Sequence, residues 1–99
     1  MEFGDILRDL RVNTGIGIKR LAPDLGVSYS YLSKLENNQI RPSEELVDRV
    51  AQYFDYDRDR LLLAADKIPS EILQILRDHP DEAIAFLRER FGPARQSVE

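Results

Sequence analysis

With 99 residues, 42% of them apolar, the chain suffices for one small domain and an appendage and is too apolar to be a disordered segment. It has no cysteine, which excludes disulfide staples and thiolate metal sites and suits a reducing cytoplasm. The formal net charge of −4 excludes a nonspecific polycation, but the charge is uneven: residues 1–41 hold six basic and five acidic side chains, residues 42–99 eight and thirteen.

The apolar pattern is helical throughout, with no strand-like alternation and no internal repeat. Phe3, Ile6, Leu7 and Leu10 recur at helical spacing, and Gly15 sits where a C-terminal cap belongs. A short segment runs from Ile18 to Leu25 and closes at Gly26. Ser28 reads as the N-cap of a helix over Tyr29 to Asn37, and Asn37-Asn38, which tolerate left-handed backbone, as its exit. Arg41-Pro42-Ser43 restarts the chain, and Leu46, Val47, Val50, Ala51 and Phe54 line one face of a fourth helix. Asp57 is expected to cap a fifth, with Leu61, Leu62 and Ala65 turned inward.

Beyond Asp66, Pro69 is placed as a first-turn proline, and Ile72, Leu73 and Leu76 form a stripe. His79-Pro80-Asp81 breaks the chain, His79 capping the helix that follows. Ala83, Ile84, Leu87 and Phe91 form a second stripe, stopped by Gly92-Pro93. The spacing predicts an all-α chain with a helical domain over residues 1–66, a C-terminal helical hairpin over 67–92 and a flexible tail over 93–99. The longest apolar run, Leu61 to Ala65, is far short of a membrane span, and the acidic start lacks the order of a signal peptide, so a cytoplasmic location away from membranes is expected.

The window from Ile18 to Asn37 reads IKRLAPDLGVSYSYLSKLEN. Two helices that cross steeply through a tight turn need a residue free to take positive φ, and Gly26 is there. A close crossing needs a small side chain, supplied by Ala22, and the inner side needs apolar groups, supplied by Leu21, Leu25, Val27, Leu32 and Leu35. The arrangement points to a helix-turn-helix.

On LRDLR, GIGIKRLAPDLGVS, YSYLSKLENNQIRPS and LVDRVAQYFDYDRDRLL, residues 3–65 resemble the lambda-repressor-like, Cro-type family, also called the xenobiotic-response-element (XRE) family. The resemblance implies a five-helix DNA-binding domain whose third helix enters the major groove, and a sequence-specific repressor that binds a palindromic double-stranded operator as a homodimer. It implies base-edge contacts from Tyr29, Ser30 and Lys34, with Ser33 able to join either group of contacts. It places Ser28, Tyr31, Asn37, Asn38 and Arg41 near phosphates, and it pairs Arg11 with Glu36 to tie the first helix to the end of the third. Two departures matter. The family's Ser or Thr followed by Gln at the start of helix 2 is replaced by Gly17 and Ile18, so that contact is lost or moves to Lys19. Pro23 lies inside helix 2, where a distorted or shortened helix is expected.

Plainer readings stand beside these. Outside the motif, Lys34 and Arg41 would be ordinary solvated charges; Tyr29 and Tyr31 also suit packing, and Lys19 and Arg20 suit solubility. His79 is the sole histidine and no second His or Cys can complete a metal site, while the acids do not converge. No catalytic residue and no cofactor is therefore predicted, and no enzyme. The hairpin's stripes exceed what about thirty residues can bury alone, so Ile72, Leu73, Leu76, Ile84, Leu87 and Phe91 are the expected dimer interface. The rival reading is an antitoxin or adaptor whose hairpin binds a different protein. The hairpin also resembles tails of small repressors that work beside a regulatory peptidase.

Overall fold

In the computed structural model, which describes residues 1–93, the first helix starts on a reciprocal cap. Glu2 and Asp5 bond each other's backbone N–H groups at the head of α1 (Phe3–Thr14), satisfying donors that a helix start leaves open. Gly15 ends it at φ 76°, as its position in the sequence predicts. Then come α2 (Ile18–Asp24), α3 (Tyr29–Glu36), α4 (Glu44–Phe54), α5 (Arg58–Ala64), α6 (Ser70–Asp78) and α7 (Pro80–Phe91). All described secondary structure is helical.

Three further helices start on a side-chain cap. Ser28 Oγ accepts from the Tyr31 N–H at 3.0 Å, Ser43 Oγ from Leu46 at 3.1 Å, and Asp57 Oδ1 from Arg60 at 2.9 Å. Each such cap is worth about 1 kcal/mol. The exits share a device as well: Gly15, Gly26, Asn38, Asp55 and Asp66 all take positive φ at or just past the ends of α1 to α5. Pro23 lies in the last turn of α2, where it lacks the amide that would bond the Lys19 carbonyl; α2 holds seven residues and stops at Asp24.

Contacts divide the described chain after Ile68. In the first unit, Phe3 and Leu7 of α1, Leu21 and Leu25, Leu32 and Leu35 of α3, Val47 and Val50 of α4, and Leu61 and Leu62 of α5 bury in one core. Each leucine withdrawn from water contributes about 1.5–3 kcal/mol before the entropy of ordering is counted. Ala22 is buried as a close helix crossing requires; Val27 is only partly buried, packed on the core's edge.

The second unit begins at Pro69. Its proline is the N-cap of α6 and not a first-turn residue: its ψ of 136° is extended, and its carbonyl accepts from Ile72 and Leu73, both at 3.0 Å. The first-turn proline is Pro80, at the head of α7. His79 caps α7 only with its backbone carbonyl, which accepts from Ala83 at 2.8 Å; its imidazole makes no cap bond. α6 packs on α7, and neither buries a residue. The tail expected over 93–99 lies, apart from Pro93, outside the described residues.

Candidate nucleic-acid interface

The turn between α2 and α3 is held from both sides. Gly26 takes φ 75°, and the Val27 N–H closes back on the Ala22 carbonyl at 2.9 Å. From α4, Arg49 Nη1 donates to the Leu25 carbonyl at 2.7 Å, and a Cβ on Gly26 would come within 3.1 Å of that nitrogen. Glycine suits this position because it takes positive φ without strain. Periodicity gives no hint of Arg49, which reads as one more charge on the polar side of α4.

The wheel of α3 separates two faces. Leu32, Leu35 and Glu36 are buried; Tyr29, Ser30, Lys34 and Asn37 are exposed, with Ser33 half-buried among them. Lys19, Ser28 and Arg41 are exposed too, and Lys19, Lys34 and Arg41 form no ion pair among the described residues. Tyr31 is half-buried against the core, and it lines a cleft of about 370 Å³ with Ser28, Ser43 and Arg49.

From Val27 to Arg41 the sole acid is Glu36, and its charge is buried and neutralised. Arg11 grips the carboxylate with Nε at 2.6 Å and Nη2 at 2.9 Å, while its Nη1 donates to the Ile16 carbonyl at 3.1 Å. The hydrogen bond to Glu36 raises the Arg11 pKa above its usual value, against the opposing pull of burial. Two-pronged geometry of this kind is what a buried ion pair needs to offset desolvation. The outer face of α3 therefore meets solvent with a lysine, hydroxyls and amides and no exposed carboxylate.

α1 is pressed onto the end of α3. A Cβ on Gly4 would lie 2.3 Å from the Leu35 carbonyl oxygen and 2.4 Å from Asn38 Oδ1, so only glycine fits. Asn38 uses both ends of its amide inside the protein: Oδ1 accepts from the Gly4 N–H at 2.9 Å and Nδ2 donates to Asp5 Oδ1 at 3.2 Å. The side chain of Asn38, expected near phosphates, thus also clamps α1 against α3. Asn37 Oδ1 accepts from Arg8 Nη2 at 2.6 Å. Periodicity points to neither Gly4 nor Arg8; a glycine inside a helical segment is the signal that could find the first.

In the second unit the expected interface residues do not all share a face. Ile72, Leu76 and Leu87 join Ile75, Ala83 and Phe86 around an apolar groove of about 480 Å³, with His79 and Glu82 at its rim. Leu73, Ile84 and Phe91 do not line it, and Phe91 carries the Arg90 guanidinium 5.1 Å above its ring. Ile75 and Phe86, the latter 63% exposed, are missing from the sequence reading. Among the described residues no group of three or more acids or histidines could hold a metal ion, and no helix is long and apolar enough to cross a membrane.

A helix-turn-helix domain model matches residues 4–67. A propionyl-CoA carboxylase regulator of Cereibacter sphaeroides is 37% identical over 76 residues, 76% of this chain; the chain spans 16% of that protein's length. Among solved structures, the clp gene regulator ClgR from C. glutamicum is 31% identical with a TM-score of 0.55, covering 65% of this chain and 83% of that one. A second structure of ClgR from Corynebacterium glutamicum, 24% identical with a TM-score of 0.56 and 92% of both chains covered, shows the shared fold. The SinR protein/SinI protein complex matches at 26% identity and a TM-score of 0.56, over 89% of this chain and 93% of that one. The resemblance to lambda-repressor-like regulators stands on these matches.

Proposed function

This chain belongs to the helix-turn-helix domain family, and on that premise we propose that it is a DNA-binding transcriptional regulator, a repressor that binds a palindromic operator as a dimer. The observation that carries the reading is the outer face of α3, where the only acid between Val27 and Arg41 is withdrawn into a buried ion pair. Lys34 suits guanine O6 and N7, Ser30 and Ser33 suit either donors or acceptors, and Tyr29 suits a thymine methyl. Lys19, Ser28, Tyr31 and Arg41 flank that face as phosphate contacts. The similarity to a propionyl-CoA carboxylase regulator supports a regulatory role.

Dimerisation is proposed through the second unit. Ile72, Ile75, Ile84, Phe86, Leu87 and Phe91 are each more than two-fifths exposed there, an apolar concentration that marks interaction surfaces. A single reading head with so few cations binds DNA weakly; two held at the spacing of one helical turn, about 34 Å, gain by effective concentration. The SinR/SinI match favours a second reading, in which the same hairpin also accepts a different protein.

Selection of bound duplexes from a random pool, with light scattering on the free protein, tests the proposal. An enriched inverted repeat and a dimeric mass are expected. Recovery of no sequence above background would overturn the regulatory reading, and a monomer that stays monomeric on DNA would overturn the dimer.

A further inference from the structure

Arg8 reaches two residues at the end of α3. Its Nη2 donates to Asn37 Oδ1 at 2.6 Å, and its Nε lies 3.7 Å from Glu36 Oε1. Arg11 already holds that carboxylate in two short bonds, so Arg8 is not needed to neutralise it. What Arg8 does alone is choose the rotation of the Asn37 amide. A guanidinium carries donors only, so it must meet the carbonyl oxygen of the amide and never its nitrogen. The Asn37 Nδ2 group is thereby turned away from Arg8. Asn37 is exposed, three and four residues on from Lys34 and Ser33 on the outer face of α3, and its Nδ2 donates to no protein group among the described residues. Two unclaimed amide hydrogens beside a face stripped of exposed carboxylates fit an anionic oxygen.

We propose that Arg8 is a positioning residue for backbone recognition: by holding the Asn37 carbonyl oxygen, it aims the Asn37 amide hydrogens at a phosphate oxygen of the duplex. This rests on the DNA-binding reading above. Phosphate contacts carry no sequence preference, so a short labelled random-sequence duplex serves as probe, with affinity followed by anisotropy over a range of salt. Asn37→Ala and Arg8→Met are each expected to weaken binding roughly tenfold, as for a hydrogen bond to a charged group. The double variant is expected to bind no worse than Asn37→Ala, because Arg8 acts only through that amide. The salt slope stays as in the parent for all three, since a neutral amide releases no counterion. Losses that multiply in the double variant, or a slope that falls by about one in Arg8→Met, mean that Arg8 meets phosphate itself and overturn the positioning role. Asn37→Asp covers the case in which Arg8→Met folds poorly: it keeps an oxygen for Arg8 and removes the donor, so it should melt like the parent and bind at least tenfold more weakly. Parental affinity in Asn37→Asp overturns the proposal. A parent protein that fails to bind the duplex at low salt overturns the DNA-binding reading instead.

Discussion

Every helix before Ile68 turns off through a left-handed residue and sends two or more residues into a common core; α6 and α7 exit at His79 and Gly92 in ordinary backbone and bury none. The two regions are built from similar material, since α6 and α4 both segregate apolar from polar residues strongly. The difference lies in how many helices share the apolar side. Five short helices bent sharply at their ends can enclose a centre, and two cannot. An amphipathic helix is thus a demand for a partner, met within the chain in one region and left open in the other.

The largest expected effect falls at the one charge buried in the first region. Glu36→Ala strands Arg11 and should cost about 3–5 kcal/mol in urea denaturation, whereas the exposed Asp59→Ala should stay within about 0.5 kcal/mol. Equal, negligible losses at both would show that the pair contributes nothing to the fold. Next comes the contrast itself. Leu62→Ala should cost about 2–5 kcal/mol at any protein concentration. Phe86→Ala should leave the melting of dilute protein nearly unchanged and lower it only where copies associate. A large, concentration-independent loss for Phe86→Ala would erase the distinction between the regions. Leu87→Asp, which puts a charge in the groove, should give a folded monomer by light scattering and an operator affinity reduced by about 100-fold.

Lys34→Ala should weaken operator binding by about 1–3 kcal/mol and relax base preference at one position, read by competition with single-base variants. The smallest effect belongs to Tyr53, whose hydroxyl donates to Asp24 Oδ2 at 2.8 Å. That bond raises the Tyr53 pKa above its usual value near 10.0. The stabilisation is complete below the unfolded value and is lost as pH rises through the raised folded one. Because the bond is exposed, Tyr53→Phe should cost little, with that loss present in full at neutral pH, and should flatten the alkaline limb of a stability profile.

Local chemistry was legible in the sequence and long-range contact was not. Gly15, Ser28 and Asp57 do in the fold what their residue types imply, because a cap is decided within three or four residues. The Arg11–Glu36 pair came from family resemblance and not from spacing. Gly4, Arg49 and the Asn38 clamp answer to partners 24 to 34 positions away, which periodicity cannot register. Pro69 stands one position before its expected place for a physical reason: both the N-cap and the first helical position leave the amide without a helical partner, so proline fits each. In the hairpin, apolar residues at 72, 73, 75 and 76, and again at 83, 84, 86 and 87, leave two candidate faces. Which face opens as the groove depends on how α6 packs on α7, and spacing alone does not assign Ile75 and Phe86 to it.

The Arg49 bond to the Leu25 carbonyl has a kinetic consequence. Loops between helices are where chains usually fray and where proteases first cut. Here the turn between α2 and α3 is tied by a side chain whose own helix is anchored by Leu46, Val47 and Val50 in the core, so opening it also breaks that bond. The Val27 amide should exchange with solvent deuterium as slowly as core amides of α4, and the link between the two helices should resist nicking until the whole first unit unfolds. The reading head would then arrive at DNA with its two helices already fixed at their crossing angle, and little ordering entropy would remain to be lost on contact.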